Sequence, residues 1–153
     1  DLVDIAFAPH INEYRNERSV QLNILDIRPS CSAACTVDTS GYRALRNGSI
    51  TAEAAAALLP DRTTLGMVWR YLAVAPAPLK ETPMCLCRKI VRWSGAPLSL
   101  GKLLTCLDIF ADVGLLQTQR IHKNLSIRLT PGDDKADLNL SRTMQLLLQA
   151  KES

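Results

Sequence analysis

The sequence predicts an α+β fold: an N-terminal β-hairpin, then a mainly helical domain that closes on a second, shorter hairpin. Three observations predict it. Val20, Leu22 and Ile24 alternate with Gln21 and Asn23, the period of a half-buried strand. From Ile50 to Phe110, apolar residues recur at helical spacing behind repeated capping signals. Leu125, Ile127 and Leu129 then alternate with Ser126 and Arg128, which returns the chain to strand.

Each element follows from its own residues. Leu2-Val-Asp-Ile-Ala-Phe7 reads as the first strand and the stretch Val20–Pro29 as the second, joined by the polar loop Asn12–Glu17. Pro29 stops the second strand, because it has no N–H for a ladder and restricts Arg28 before it. Ser30–Ser40 is small and polar without a sustained period, and reads as a linker or a loose cap. Ile50–Leu59 is an alanine-rich helix with Thr51 as its cap and Pro60 as its end. A second helix runs from about Arg62 to Leu72, with Leu65, Val68, Trp69 and Leu72 on one face. Ala73-Val-Ala-Pro-Ala-Pro78 is a stiff spacer, where we place a subdomain boundary.

Thr82 caps a third helix, with Pro83 at its first position. It runs to about Trp93. Leu86, Cys87, Ile90 and Val91 face inward, and Arg88, Lys89 and Arg92 outward. Gly95 and Pro97 break it. Ser99 caps the next helix, which carries Leu103, Leu107 and Phe110 and ends at Gly114. Two short strands follow, with His122-Lys-Asn124 as the tip between them. After Pro131-Gly-Asp-Asp134, a last helix carries Met144, Leu147 and Leu148. Helices followed by a basic-tipped hairpin make the C-terminal region winged-helix-like, an architecture that often binds duplex DNA with one helix and the wing.

Composition sets the limits. The chain has 153 residues, 47% of them hydrophobic, enough for a packed core and against global disorder. No run approaches the roughly 20 apolar residues of a membrane helix, and no secretory h-region is present. The net charge of +3 permits nucleic-acid contact without demanding it. Five cysteines, an odd number, without secretory features lead us to expect reduced thiols and a cytoplasmic protein. The spacings Cys31-x-x-x-Cys35 and Cys85-x-Cys87 are not the C-x-x-C of common zinc sites, so no metal ligand is assigned. The start at Asp1 rather than Met leads us to expect a piece of a longer protein. Two strands cannot close a barrel, so the first hairpin is expected to pack on the rest of the chain or to be left partly unsatisfied.

The sequence also carries a family resemblance. Asp4-Ile-Ala-Phe7, Ile11-Asn-Glu-Tyr-Arg15, Arg18-Ser-Val-Gln-Leu22 and Asp26-Ile-Arg-Pro29 closely resemble the end of the OB-fold domain of bacterial RecJ. RecJ degrades single-stranded DNA from the 5′ end in DNA repair and recombination. The family loop often has Gly where Asn16 stands, and Asn also tolerates positive φ. Leu59-Pro-Asp-Arg62, Val68-Trp-Arg-Tyr-Leu72, Phe110-Ala-Asp-Val-Gly-Leu-Leu116, and Lys135-Ala-Asp-Leu138 with Ser141 resemble the extra C-terminal domain of RecJ from Gram-positive bacteria.

The resemblance implies a division into three parts: 1–30 as terminal strands of an OB-fold domain, 31–78 as linker and helical connector, and 79–153 as the winged-helix-like domain. It further implies an accessory region of a single-strand exonuclease. Family catalysis uses manganese or magnesium held by Asp and His clusters, including an Asp-His-His run. This chain has only His10 and His122 and no such run, so we assign no catalytic residue and no cofactor to it.

The candidate contacts are therefore binding residues. Tyr14, Arg15 and Arg18, with Gln21 on the strand beyond, offer a ring to stack on, cations for phosphates and a polar face. Arg88, Lys89 and Arg92 form a cationic helix face for DNA or a partner, extended by Lys102, Arg120, Lys123 and Arg128. Implied partners are single-stranded DNA, a single-strand-binding protein or a helicase. The alternative is a free-standing winged-helix regulator of DNA or a protein-docking domain. Trp69 and Trp93 are expected in the core or between domains, and His122 exposed at its tip.

Overall fold

A computed structural model describes residues 3–29, 35–131 and 136–153. The chain is mixed α+β and divides into two compact units, Asp1–Cys31 and Ser32–Ser153. Cys31, the turn 132–134 and Lys135 lie outside the described residues.

The first unit is one long ribbon. Strand β1 (Val3–Tyr14) pairs antiparallel with β2 (Glu17–Pro29), from Val3 opposite Pro29 to Tyr14 opposite Glu17. The polar loop expected over Asn12–Glu17 is only a two-residue turn. Arg15 and Asn16 both take positive φ, 53° and 64°, the type I′ geometry that matches the twist of the strands. The flanking polar residues simply continue the ladder.

Directly paired residues share a face. Ile5, Phe7, Pro9 and Ile11 stand opposite Ile27, Ile24, Leu22 and Val20, so one face is apolar from Ile5 to Ile11, with the Glu13–Arg18 pair at its tip end. The other face carries His10 opposite Gln21, Asn12 opposite Ser19 and Tyr14 opposite Glu17. A bulge makes this possible. Ala6 pairs with Asp26 and Phe7 with Ile24, leaving Leu25 as an extra residue. Without it, Ile27 would fall out of phase with Ile24. A two-stranded ribbon has no interior, and Ile11, Val20 and Ile24 are exposed.

The second unit begins with β3 (Cys35–Thr36) and α1 (Ser40–Arg46), followed by α2 (Ala52–Leu58), α3 (Arg62–Val74), β4 (Leu79–Glu81) and α4 (Pro83–Ser94). Then come β5 (Leu98–Ser99), α5 (Leu100–Asp112), β6 (Leu116–Ile121), β7 (Asn124–Leu129), a 3-10 turn at Leu138–Leu140 and α6 (Arg142–Glu152). The capping chemistry is direct. Thr51, Asp61, Thr82 and Ser99 each accept the backbone N–H three residues on, at 3.3, 2.7, 3.2 and 3.1 Å. Gly114 ends α5 at φ 78°, a conformation costly for a residue with a Cβ.

One core holds this unit together. Leu65, Val68 and Leu72 of α3 pack with Leu86 and Ile90 of α4, and with Leu103, Leu107 and Phe110 of α5. The spacer Ala73–Pro78 therefore runs between elements that share a core. Sheet strands are ordered β4-β7-β6, all antiparallel, and contribute Leu79, Ile127 and Leu116 to the same core. A smaller cluster of Leu45, Ala55, Leu58 and Leu147 ties α1, α2 and α6 together.

Helix α5 lies at the centre. No residue from Leu100 to Ala111 is exposed. Helix α1 was not expected from sequence, which reads Ser30–Ser40 as linker and leaves the following segment unassigned. It stands because Leu45 is buried in the smaller cluster and the Tyr42 hydroxyl donates to Asp108 Oδ2 at 2.8 Å.

Candidate nucleic-acid interface

The ribbon tip is built by its turn. The two positive-φ residues reverse the chain within two positions, and the Arg15 guanidinium lies 5.2 Å from the Tyr14 ring centroid. That is cation–π range, and it holds the two side chains as one unit. Tyr14 is 69% exposed, so its ring is open to a ligand. Gln21 lies on the same polar face as Tyr14, with His10 opposite it and Asn23 two residues beyond.

Arg18 is placed differently. It stands opposite Glu13, in line with the apolar residues, and its Nε is ion-paired to Glu13 Oε1. The structure thus brings Tyr14 and Arg15 together, sets Gln21 on the same face but further along β2 opposite His10, and turns Arg18 to the other face.

The cationic face of α4 is also narrower than its sequence spacing implies. Arg88 and Lys89 are half-buried; only Arg92 is exposed. Lys89 Nζ is ion-paired to Glu81 Oε1, which reaches over from β4, and this contact raises the Lys89 pKa. A four-residue apolar stripe does not leave the rest of a helix free when a strand packs beside it. Lys102 is half-buried at the start of α5. Lys123 is exposed at the β6–β7 tip with His122, and Arg120 and Arg128 are exposed on the strands.

The two tryptophans part company. Trp69 is partly buried and meets Phe110 at 5.3 Å between centroids, as a core residue should. Trp93 is 50% exposed, so of the two expected places, core or between domains, it does not take the core. It packs edge-on to Tyr71, with centroids 5.6 Å apart and planes at 70°. The sequence held a signal for this: Trp93 lies four residues after Lys89 and next to Arg92, on the polar side of α4.

The remaining polar groups serve the fold. Asp108 is half-buried between α1 and α5, and desolvation raises its pKa although Tyr42 donates to it and Arg46 lies 3.7 Å away. Burial, followed by the Asp108 charge, pushes the Tyr42 phenol well above its usual range. Cys35 and Cys87 are buried with their sulfurs 3.4 Å apart, and burial likewise pushes the Cys87 thiol up. Cys106 is enclosed in the core and raised to about 12 by burial. These are poor nucleophiles.

Among the described residues, no three His, Cys, Asp or Glu side chains come together to hold a metal ion, and no helix is long and apolar enough to cross a membrane. The site is equipped to stack, to pair with anions and to hydrogen-bond. No family model, curated protein or solved structure gives a significant match to this chain.

Proposed function

We propose that this chain is a binding region of a RecJ-like single-strand exonuclease, one that contacts single-stranded DNA and leaves hydrolysis to residues elsewhere in such an enzyme. The observation that carries the reading is the ribbon tip, where Tyr14 and Arg15 form an exposed ring-and-cation pair on a polar face. Stacking and phosphate pairing need those two groups side by side. The opposite face, apolar over Ile5–Ile11 and its partners, supports a place as terminal strands of an OB fold, whose interior such a face would line. In the parent enzyme, divalent metal would come with the family's Asp and His clusters.

A winged-helix-like second unit is supported by its element order: α3, β4, α4, α5, β6 and β7, with β4 joining β7 in the sheet. Yet α5, the third helix of that order, is enclosed and offers no free face to a major groove. This weighs against a free-standing regulator that reads duplex DNA with that helix. Contact with a single-strand-binding protein or a helicase would use the outer surfaces of the unit instead. The free thiols of Cys35, Cys85, Cys87 and Cys106, among the described residues, suit a reducing, cytoplasmic setting.

The test is direct. The full chain carrying Tyr14→Ala and Arg15→Ala is titrated with labelled oligothymidylate across a salt series. Loss of one phosphate contact should flatten the salt slope by about 0.7, and loss of stacking should weaken affinity roughly ten-fold. Unchanged affinity and slope would reduce the tip to a plain turn.

A further inference from the structure

We propose that Trp93, braced by Tyr71 and flanked by Arg92, is a second base-stacking contact for single-stranded nucleic acid, carried by the second unit. The inference rests on the reading above and extends it to residues that reading does not use.

Three observations converge on this surface. First, Trp93 is 50% exposed although it belongs to a well-packed helix whose Leu86, Cys87, Ile90 and Val91 are buried. An indole left half in water costs stability that burial would have gained. Second, its ring is fixed from behind. Tyr71, from α3, meets it edge-on at 5.6 Å, and Gly95 ends α4 two residues later at φ 71°. A braced ring loses little freedom when a base stacks on it. Third, the local charge is cationic. Helix α4 contains Arg88, Lys89 and Arg92 and no Asp or Glu. Glu81 is committed to Lys89, and Arg92, the residue before Trp93 in the chain, is exposed to solvent.

A half-exposed aromatic ring with an exposed arginine on the adjoining turn of surface can take one base and a phosphate of the same strand. An acidic peptide with an apolar end would need an enclosed pocket for that end, and a half-exposed ring supplies only a surface.

The chain has two tryptophans, so intrinsic fluorescence reads the site. The full chain is titrated with oligothymidylate while emission is followed. Quenching is expected, and it should persist in Trp69→Phe, because Trp69 is packed on Phe110. Trp93→Ala should abolish the quenching and weaken binding, measured with a labelled oligonucleotide, roughly ten-fold. Arg92→Glu leaves both rings in place, and it should weaken binding even if Trp93→Ala folds poorly.

The ribbon-tip variant separates the two proposals. Quenching by oligonucleotide that survives in that variant supports the Trp93 contact whatever the fate of the tip. No quenching in the parent chain, with undiminished affinity in Trp93→Ala and Arg92→Glu, overturns the Trp93 contact while the tip variant still tests the first reading. Quenching by an acidic, hydrophobic-ended peptide but not by oligonucleotide overturns it in favour of protein docking. No oligonucleotide binding by the full chain overturns both.

Discussion

Asp112 should hold the end of the second unit closed. It is the last residue of α5, and its Oδ2 accepts the Ser141 hydroxyl at 2.7 Å and the Thr143 backbone N–H at 2.8 Å. Ser141 in turn accepts the Met144 N–H at 3.2 Å, so one carboxylate fixes the N-terminus of α6. Replacing it by Ala removes both contacts at once. Hydrogen bonds to a charged acceptor contribute about 1.5–3 kcal/mol each when sheltered, but this carboxylate is largely exposed and must be discounted.

Ser141 is fully buried, however, and its hydroxyl would lose its acceptor. The sum comes to about 2 kcal/mol, or roughly 8 °C in melting temperature for a unit of this size.

The pH dependence has a definite sign. Burial works against the Asp112 charge, but the Thr143 N–H and the Ser141 hydroxyl together hold its pKa below the ordinary 3.8. A depressed carboxylate contributes stability that is present above the unfolded value and lost as pH falls through the folded one. The gap between parent and Asp112→Ala should therefore be constant from about pH 5 upward and close below about pH 4. Urea unfolding followed by far-ultraviolet circular dichroism at neutral and acidic pH measures it. A variant within about 0.5 kcal/mol of the parent at pH 7, or a gap that widens in acid, refutes the argument.

Two further outcomes are expected. Tyr42→Phe removes the hydroxyl that favours the Asp108 carboxylate, so the already raised Asp108 pKa should climb further; carboxyl NMR titration checks this, and an unmoved titration would show the bond to be immaterial. Ile90→Ala empties a fully buried site between α3 and α5 and should cost about 2–5 kcal/mol in denaturant unfolding, whereas a cost below 1 kcal/mol would mean that the core collapses around it.

Local chemistry alone determined much of this protein. The caps Thr51, Asp61, Thr82 and Ser99 begin their helices because a side-chain oxygen three residues before an N–H is a local arrangement. The alternation of Val20, Leu22 and Ile24 made a strand legible for the same reason. Met144 and Leu147 face inward at helical spacing, although Leu148 stays partly exposed.

What the sequence hid depends on neighbours distant along the chain. The extra Leu25 cannot be seen without its missing partner on β1. Helix α1 has little intrinsic signal and is held by Asp108, 66 residues away from Tyr42. Lys89 looked free because Glu81 lies on a strand whose packing the helix pattern does not encode. Helix α5 was legible as a helix, but its enclosure was decided only when α1, α2 and α6 closed around it. For the candidate site, residue type marked Tyr14 and Arg15. Only the positive-φ turn decided that they stand together while Arg18 points to Glu13, since two dihedral angles choose the face on which each side chain stands.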